Sequence, residues 1–388
     1  MSINYGRYPI VIARGEGCNL YDSDGRQYLD LFAGFGAGIL GHCHPDLVRA
    51  VSEQASLLWH PGNLLHSEPQ TRTAEDIARL GFGGRSFFCH SGADANEAAI
   101  KLARLHGHHR PGPDGPRFKV ISALRSFHGR SFATMAATAD PKVREHFGPL
   151  APGFAHVPFN DIAAIEAEID ETTAAVIVEP IQGEGGIHVP ADDYLPALRR
   201  LCTERDLLLI IDEVWTGCGR TGRYFAHQHW DIEPDVMTLG KGVGGGLAVG
   251  VMCTGPVAAD HYNAIKQGGV KHASTLGGNC LAMAASHAVF TVLERDGLVA
   301  RAEEMGRHVQ ERFTAMKSNG AGIVEVRGKG LFIGVELDKP AKEIVDACRE
   351  EGVMINATQG SVLRVAPPLI VEPGPLDHGL DVIERALR

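Results

Sequence analysis

Five short runs of β-branched and apolar residues recur between longer segments of helical periodicity. They cover residues 119–123, 174–178, 207–211, 236–239 and 249–253. Each run is too short for a helix and lacks the alternation of a strand with one solvated face, so the pattern predicts buried parallel strands. The alternation of such strands with helices predicts an α/β fold with a large, mostly parallel sheet and helices on both of its faces.

The pattern changes after Gly278 to longer amphipathic segments. Helical periodicity at 281–296, 298–318 and 341–351 and from Leu376 surrounds strand-like runs at 331–337 and 361–365. This mixture predicts a second, smaller α+β domain. We predict three parts, namely an N-terminal segment (1–50) that packs with the small domain, a large ligand-binding domain (51–280) and the C-terminal small domain (281–388).

Composition and charge narrow the possible functions. The chain has 388 residues, 44% of them apolar and 22% charged, with a net charge of −10. Without a basic cluster, neither nucleic acid nor an anionic membrane is an expected partner. The eight cysteines stand singly, which favours a reducing compartment, and no export signal or membrane span is visible. We therefore expect a water-soluble cytoplasmic protein.

Ionisable residues follow three of the predicted strands. Glu179 and Asp212 come directly after apolar runs, and Lys241 follows the next run within a glycine-rich segment. Ligands of parallel sheets bind beyond the carboxyl ends of the strands. Small neighbours let a flat ligand reach the Lys241 nitrogen, and burial lowers the pKa of a lysine that reacts with a carbonyl carbon. A solvated lysine in a flexible loop is the alternative.

A candidate phosphate site begins at Ser91. Ser91 and Asp94 have the spacing of a helix N-terminal cap ahead of a helical pattern. The free N–H groups of Gly92 and Ala93 and the positive end of the helix dipole suit an anion, although a capped helix without a ligand fits the same pattern. Together with Asp212 and Lys241, this cradle indicates a pyridoxal 5′-phosphate site.

Other motifs are weaker. The GxGxxG match at 36–41 lacks a preceding strand and a following acid, Lys241 is followed by Gly instead of Ser or Thr, and GxSxG and HExxH are absent. A dinucleotide site, a P-loop, a serine hydrolase and a metal centre are therefore not expected. The pair His42 and His44 indicates a loop better than a metal site.

Six motifs resemble the class III aminotransferases of fold type I, and they occur in the order that is usual for that family. They are SGADANEA (91–98), FHGR (127–130), VEPIQGEGG (178–186), DEV (212–214), GRTG (219–222) and STLGGN (274–279). Within the family, GHCHP at 41–45 and the compact length resemble the acetylornithine-type enzymes most closely. The resemblance implies a pyridoxal-phosphate enzyme that works as a homodimer with shared active sites.

The resemblance also implies roles for individual residues. Lys241 holds the cofactor covalently and shuttles a proton, and Asp212 pairs with the pyridinium nitrogen. The other implied cofactor contacts are Gly92, Ala93, Phe127, Val214 and, from a second subunit, Thr275. Arg130, assisted by Ser274, grips a substrate carboxylate, whereas Glu184 masks and releases Arg364, which binds the α-carboxylate of glutamate and 2-oxoglutarate.

Two positions bear on the substrate. Trp215 stands where the family usually has glutamine; it either keeps a donor contact to the cofactor or points elsewhere and narrows the pocket. Phe35 stands where ornithine aminotransferases carry tyrosine, so an acetylated amine suits it better. The resemblance therefore implies transfer of the terminal amine of N2-acetylornithine to 2-oxoglutarate. The alternatives are another ω-aminotransferase (succinylornithine, ornithine, 4-aminobutyrate or a diamine), an aminomutase or decarboxylase, and a non-catalytic cofactor-binding regulator.

Overall fold

A seven-stranded sheet forms the centre of the molecule in the computed structural model, which describes residues 2–388. Its strand order is β4-β10-β9-β8-β7-β5-β6. These strands are β4 (Arg85–Cys89), β5 (Lys119–Ala123), β6 (Phe154–Val157), β7 (Thr173–Val178), β8 (Leu208–Asp212), β9 (Val236–Leu239) and β10 (Gly250–Thr254). The pairs from β9 through β8, β7 and β5 to β6 are parallel. The predicted α/β fold is confirmed.

The prediction of a parallel strand at 249–253 is wrong. Strand β10 runs antiparallel to both of its neighbours, β4 and β9. All five of its residues are buried, so it carries the same continuous apolar run as a buried parallel strand. Hydrophobic pattern reports burial and leaves strand direction open. Strands β4 and β6 were not predicted, because both are only partly buried and mix polar with apolar residues.

Helices cover both faces of this sheet. Ile121, Val176 and Leu209 pack on one face with residues of α8, while Val120 and Ile177 pack on the other with residues of α4. The helices of the chain are α1 (Ala33–Gly36), α2 (Pro45–Leu57), α3 (Glu68–Leu80), α4 (Gly92–His109), α5 (Phe132–Ala137), α6 (Pro141–Arg144), α7 (Ile162–Glu168), α8 (Tyr194–Glu204), α9 (Pro256–Ala259), α10 (Cys280–Arg295), α11 (Leu298–Ser318), α12 (Lys342–Glu350) and α13 (Pro373–Leu387). Short 3₁₀ helices lie at Ala226–Trp230, Lys241–Gly244 and Asp260–Tyr262.

Two four-stranded sheets lie beside the large one. The N-terminal sheet contains β1 (Ile12–Glu16), β2 (Asn19–Asp22), β3 (Gln27–Asp30) and β13 (Val353–Met354), and the antiparallel C-terminal sheet contains β11 (Ile323–Lys329), β12 (Phe332–Leu337), β14 (Asn356–Thr358) and β15 (Val362–Val365). Strand β13 pairs in parallel with β3, so a strand of the C-terminal region completes the N-terminal sheet. The division at residues 50 and 280 stays a prediction.

A membrane span requires a long and strongly apolar helix. Within residues 2–388, no helix is both long enough and apolar enough to cross a bilayer.

Candidate active site

The carboxyl ends of three adjacent parallel strands bring together the ionisable residues singled out in the sequence. Glu179 follows β7, Asp212 ends β8 and Lys241 follows β9, and these strands are neighbours in the sheet. All three side chains line one cavity of ≈ 600 Å³. The same cavity is lined by Gly92, Ala93, Phe127, Arg130, Glu184, Val214 and Trp215. Lys241 therefore lies in this cavity and is not a solvated lysine in a flexible loop.

Asp212 is fixed by hydrogen bonds from three sides. Its Oδ2 accepts from Asn96 Nδ2 at 2.7 Å and lies 2.8 Å from His128 Nδ1, while its Oδ1 accepts from the backbone N–H of Val214 at 3.0 Å. Asn96 in turn accepts from the Thr238 hydroxyl at 2.7 Å. The carboxylate thus has one orientation. Sequence analysis gave no role to Asn96 or His128, although both stand inside quoted motifs.

Glu179 is a second buried carboxyl in the cavity. It accepts from the backbone N–H groups of Phe127 at 3.1 Å and of Gly183 at 3.0 Å. Burial raises its pKa to about 7, helped by the Asp212 carboxylate and opposed by His128 and by those two hydrogen bonds. Removal from water disfavours the charged carboxylate, and here this effect on the pKa outweighs that of the two N–H donors. The group titrates close to neutral pH.

Lys241 starts the 3₁₀ helix that follows β9. Its backbone has a φ of 45°, a left-handed conformation that is uncommon for a residue with a side chain. Burial lowers the pKa of Lys241, and the carboxylates of Glu184, Asp212 and Glu179 oppose that shift. A lysine with a lowered pKa has a larger fraction of neutral amine, which is the form that attacks a carbonyl carbon.

The start of helix α4 forms another part of the cavity wall, with Gly92 packed against Gly240, the residue before Lys241. Ser91 caps the helix by accepting from the Asp94 N–H at 3.2 Å, so the N–H groups of Gly92 and Ala93 have no acceptor within the helix. A Cβ on Gly92 would lie 2.5 Å from Val214 Cγ1. Only glycine allows this close approach. The result is an anion cradle beside Asp212 and Lys241.

Glu184 and Arg364 form an ion pair at the edge of the cavity. Glu184 Oε1 lies 2.9 Å from an Arg364 guanidinium nitrogen, and their side chains are 32% and 2% exposed. Burial lowers the pKa of Arg364, and Glu184 opposes that shift. Arg364 Nε also donates to Asn356 Oδ1 at 3.0 Å. The arginine is held within the protein, whereas the carboxylate borders solvent.

A family model described as Aminotransferase class-III matches residues 1–387. The chain is a class-III aminotransferase. An acetylornithine aminotransferase of Caldanaerobacter subterraneus subsp. tengcongensis is 44% identical over 99% of this chain and 96% of the relative. The predicted family and the prediction that the chain is an enzyme are confirmed.

Solved structures agree with this assignment. An ornithine aminotransferase from Toxoplasma gondii, described with partial occupancy of PLP at its active site, superposes with a TM-score of 0.92 at 32% identity and covers 99% of this chain and 92% of its own. An acetylornithine aminotransferase from Elizabethkingia anophelis superposes with a TM-score of 0.86 at 31% identity, over 100% and 95% of the two chains. Fold type I is confirmed, and so is pyridoxal 5′-phosphate as the cofactor, because class-III aminotransferases depend on it.

The cavity of this aminotransferase fits that cofactor. The glycine-lined start of α4 offers donors to the phosphate, the fixed Asp212 carboxylate offers a partner to the ring nitrogen, and Lys241 offers an amine to the aldehyde. Phe127 and Val214 line the space between them. These side chains are the ones we propose to hold the cofactor.

Three predicted residues of the aminotransferase do not line this cavity: Arg364, which lies at its edge, and the pair Ser274 and Thr275. Ser274 and Thr275 line a second cavity of ≈ 680 Å³ together with His60 and Asn63. Thr275 is exposed, and Ser274 Oγ lies 3.4 Å from His90 Nδ1 at the outer end of the anion cradle. A single chain therefore does not bring Thr275 to the cofactor site, and its role in the phosphate contact stays a prediction.

Trp215 points into the cavity beside the reactive lysine. Lys241 Nζ lies 4.2 Å from the centroid of its ring. Within residues 2–388, its Nε1 has no hydrogen-bond partner. A Cβ on Gly36 would lie 2.4 Å from that nitrogen, so the indole fills the space up to the backbone of α1. Both alternatives for Trp215, a donor contact to the cofactor and a narrowed pocket, stay predictions.

Proposed function

We propose that this aminotransferase moves the terminal amine of N2-acetylornithine to 2-oxoglutarate, giving N-acetylglutamate 5-semialdehyde and glutamate. The observation that carries the proposal is the Glu184–Arg364 ion pair, at 2.9 Å, beside the cavity that holds Lys241. Relatives named acetylornithine aminotransferase, such as the one from Gloeobacter violaceus at 46% identity over 98% of this chain, support the donor. The reaction belongs to arginine biosynthesis.

One site accepts two unlike substrates because the ion pair opens and closes. With Glu184 on Arg364, the positive charge is masked, and the uncharged chain of an ω-amino donor fits beside it. Arg130 lines the same cavity, and its planar fork binds a carboxylate with two parallel hydrogen bonds. When Glu184 turns toward solvent, Arg364 receives the α-carboxylate of 2-oxoglutarate. Specificity thus alternates between the two half-reactions.

The protein's own groups carry the chemistry as follows. Pyridoxal phosphate, when bound, withdraws electrons from the carbon that bears the reacting nitrogen. Asp212 would hold a negative charge at the ring nitrogen, and the Lys241 amine would take a proton from the carbon that bears the reacting nitrogen and deliver it to the cofactor. Phe127 and Val214 exclude water from the reacting atoms. Because the transferred amine stays with the cofactor after the first half-reaction, Lys241 would regain its covalent link only at the end of the second half of the ping-pong cycle.

The free α-amine of the donor separates the main proposal from its alternative. Phe35, two residues before the cavity-lining Ala37, is 51% exposed and has no polar group for an ammonium, whereas an acetyl group packs against an apolar ring. Ornithine aminotransferases superpose closely on the chain, one of them with a TM-score of 0.93. Another ω-aminotransferase, acting on succinylornithine, ornithine, 4-aminobutyrate or a diamine, is therefore the second candidate.

A panel of amino donors with 2-oxoglutarate as acceptor tests the proposal. We expect N2-acetylornithine to have the highest kcat/KM, with ornithine at least ~10-fold lower because its second charge meets an apolar wall. Preference for ornithine or a diamine would refute the proposed donor. Turnover of an amine without any 2-oxo acid would instead indicate an aminomutase or a decarboxylase.

We also propose a homodimer that shares its active sites and works in the cytoplasm. Large apolar side chains are exposed beside the second cavity, among them Trp59, Leu64 (97% exposed) and Val270. Clusters of this kind mark protein interfaces. If a second copy of the chain packs on this face, Thr275 of one subunit can reach the anion cradle of the other. The eight cysteines, all free, support a reducing compartment.

A further inference from the structure

Trp215 separates the reactive lysine from the arginine of the ion pair. It is 7% exposed. Lys241 Nζ lies 4.2 Å from its ring centroid, and the Arg364 guanidinium carbon lies 4.7 Å from the same centroid. Both distances are within the range of cation–π contacts. One indole therefore contacts both the lysine that acts in each half of the proposed reaction and the arginine on which the dicarboxylate half depends.

Two further rings surround the Arg364 guanidinium. Its central carbon lies 5.5 Å from the ring centroid of Phe32 and 6.0 Å from that of Phe35. Phe32 and Phe35 meet edge to face, with centroids 4.6 Å apart. We call Phe32, Phe35 and Trp215 the aromatic cage. Trp215 is the member nearest to the cation.

The local backbone is shaped to hold this cage. Phe35 has a φ of 58° and Gly36 a φ of 82°, and the left-handed conformation of Phe35 costs free energy that a free chain would avoid. A Cβ on Gly36 would lie 2.4 Å from Trp215 Nε1, and one on Gly183 would lie 2.8 Å from Trp215 Cε3. The backbone at two glycines thus packs directly against the indole on two sides.

We propose that Trp215 is a positioning residue for the dicarboxylate half-reaction: its ring holds the Arg364 guanidinium in place when Glu184 leaves. This inference rests on the proposed function. When Glu184 has left, Arg364 still donates to Asn356 on one side. Its guanidinium then depends on the aromatic cage for its remaining contacts. Glutamine at position 215 has no aromatic face for this contact.

The chain offers matched variants to test this role. Trp215→Phe keeps an aromatic ring. Trp215→Leu and Trp215→Met remove the ring, and their side chains are closer in volume to phenylalanine than to tryptophan. Trp230→Leu is the control, because Trp230 is also 7% exposed and lies under a cation, Lys329 Nζ, at 5.5 Å from its ring centroid. Trp230 is not among the residues that line the cavity.

Two measurements separate positioning from general stability. The first compares single-turnover reactions of the loaded enzyme with glutamate and with N2-acetylornithine, each followed by the loss of the cofactor's visible absorption. The second measures, by calorimetry, the binding of glutarate to the protein without cofactor. Glutamate and glutarate need the unmasked Arg364, whereas the N2-acetylornithine half-reaction proceeds with Arg364 masked.

We expect Trp215→Leu and Trp215→Met to weaken the apparent affinity for glutamate and glutarate about 10-fold, a change that corresponds to about 1.4 kcal/mol and lies within the range of a desolvated cation–π contact. Loss of the contact with Lys241 affects both half-reactions, so any weakening for N2-acetylornithine should be at least ~3-fold smaller than that for glutamate, and Trp215→Phe should restore most of the glutamate affinity. Trp230→Leu should change none of these values.

The proposal would be overturned if Trp215→Leu lowered the affinities for glutamate and for N2-acetylornithine equally. It would also be overturned if Trp215→Phe bound glutamate as weakly as Trp215→Leu does. If the leucine variant does not fold, the methionine variant provides the same comparison with phenylalanine. A wild-type enzyme that reacts with neither glutamate nor N2-acetylornithine would instead refute the proposed function, so the two failures are distinguishable.

Discussion

At the level of single residues, the charged side chains of the site are held in fixed positions by their hydrogen bonds. Asp212 is held by Asn96, His128 and the backbone of Val214 before any ligand arrives. A group fixed in this way needs no reorganisation when charge develops beside it, which makes its electrostatic effect larger than in water. The carboxylate therefore acts through its charge and its fixed direction.

Replacing Asp212 by asparagine tests this directly. The neutral amide keeps the shape of the side chain but no longer stabilises a protonated ring nitrogen, so kcat should fall roughly 10²–10³-fold. The covalent link at Lys241 should still form, which cofactor absorption checks. Asp192→Asn, at an exposed position, is the control. An Asp212→Asn enzyme of normal kcat would contradict the assigned role.

Glu179 predicts a pH dependence of stability. Burial raises its pKa from 4.5 to about 7, while the unfolded chain leaves the carboxyl near its ordinary value. The folded state thus binds a proton that the unfolded state loses. The stability contributed by protonated Glu179 is complete below pH 4.5 and is lost as the pH rises through 7.

The matching variant is Glu179→Gln, which stays uncharged at every pH. The free energy of unfolding of the wild type relative to this variant should fall by about 3 kcal/mol between the two pKa values, at 1.36 kcal/mol per pKa unit. Denaturant titrations at several pH values measure it, with the exposed Glu204→Gln as control. A difference that stays constant with pH would contradict the raised pKa.

At the scale of helices and strands, hydrophobic pattern predicted most elements but not their directions. Strands β5 and β9 and helix α11 have the predicted bounds, because long or continuous apolar patterns signal burial clearly. Strand β10 was assigned the wrong direction, since burial on both faces looks alike in either direction. Strands β4 and β6 were missed because their partial burial leaves no such pattern.

The candidate site divides in the same way. Asp212, Lys241 and the start of α4 were found from strand ends and a helix cap, which are local signals. The Glu184–Arg364 pair joins positions 180 residues apart in the chain, so only the family resemblance suggested it. The aromatic cage could not be predicted, because its geometry depends on the left-handed backbone at Phe35.

The start of helix α4 yields a prediction at this scale. Gly92→Ala forces a Cβ to within 2.5 Å of Val214 Cγ1, so the first turn must shift away from the cavity. Overpacking of this kind costs about 1–3 kcal/mol, and pyridoxal phosphate affinity should fall roughly 10- to 100-fold. Absorbance titration of the unloaded protein measures it.

Gly374→Ala is the matched control for that prediction. Gly374 lies in the first turn of α13, and nothing lies within 4 Å of an added Cβ. Its replacement should leave cofactor affinity unchanged and stabilise the helix by up to about 1 kcal/mol. Equal cofactor affinity of the two variants would show that the anion cradle is placed elsewhere.

At the scale of the whole molecule, the exposed position of Thr275 and the apolar face beside it predict that two chains build each site. Mixed dimers test this: Lys241→Ala and Thr275→Ala proteins, each impaired alone, should regain part of the activity after joint unfolding and refolding. In a mixed dimer, one site combines an intact Lys241 with the partner's intact Thr275. If the refolded mixture of the two variants recovers no activity, the proposal that two chains share each site is refuted.

The central claim is that Lys241 forms the covalent link to pyridoxal phosphate across from Asp212. Borohydride reduction of the loaded enzyme, followed by digestion and mass spectrometry, tests it most directly. We expect a single modified peptide, with the cofactor attached to Lys241, and no attachment in a Lys241→Ala protein. Modification of another lysine, or unchanged attachment in the alanine variant, would contradict it.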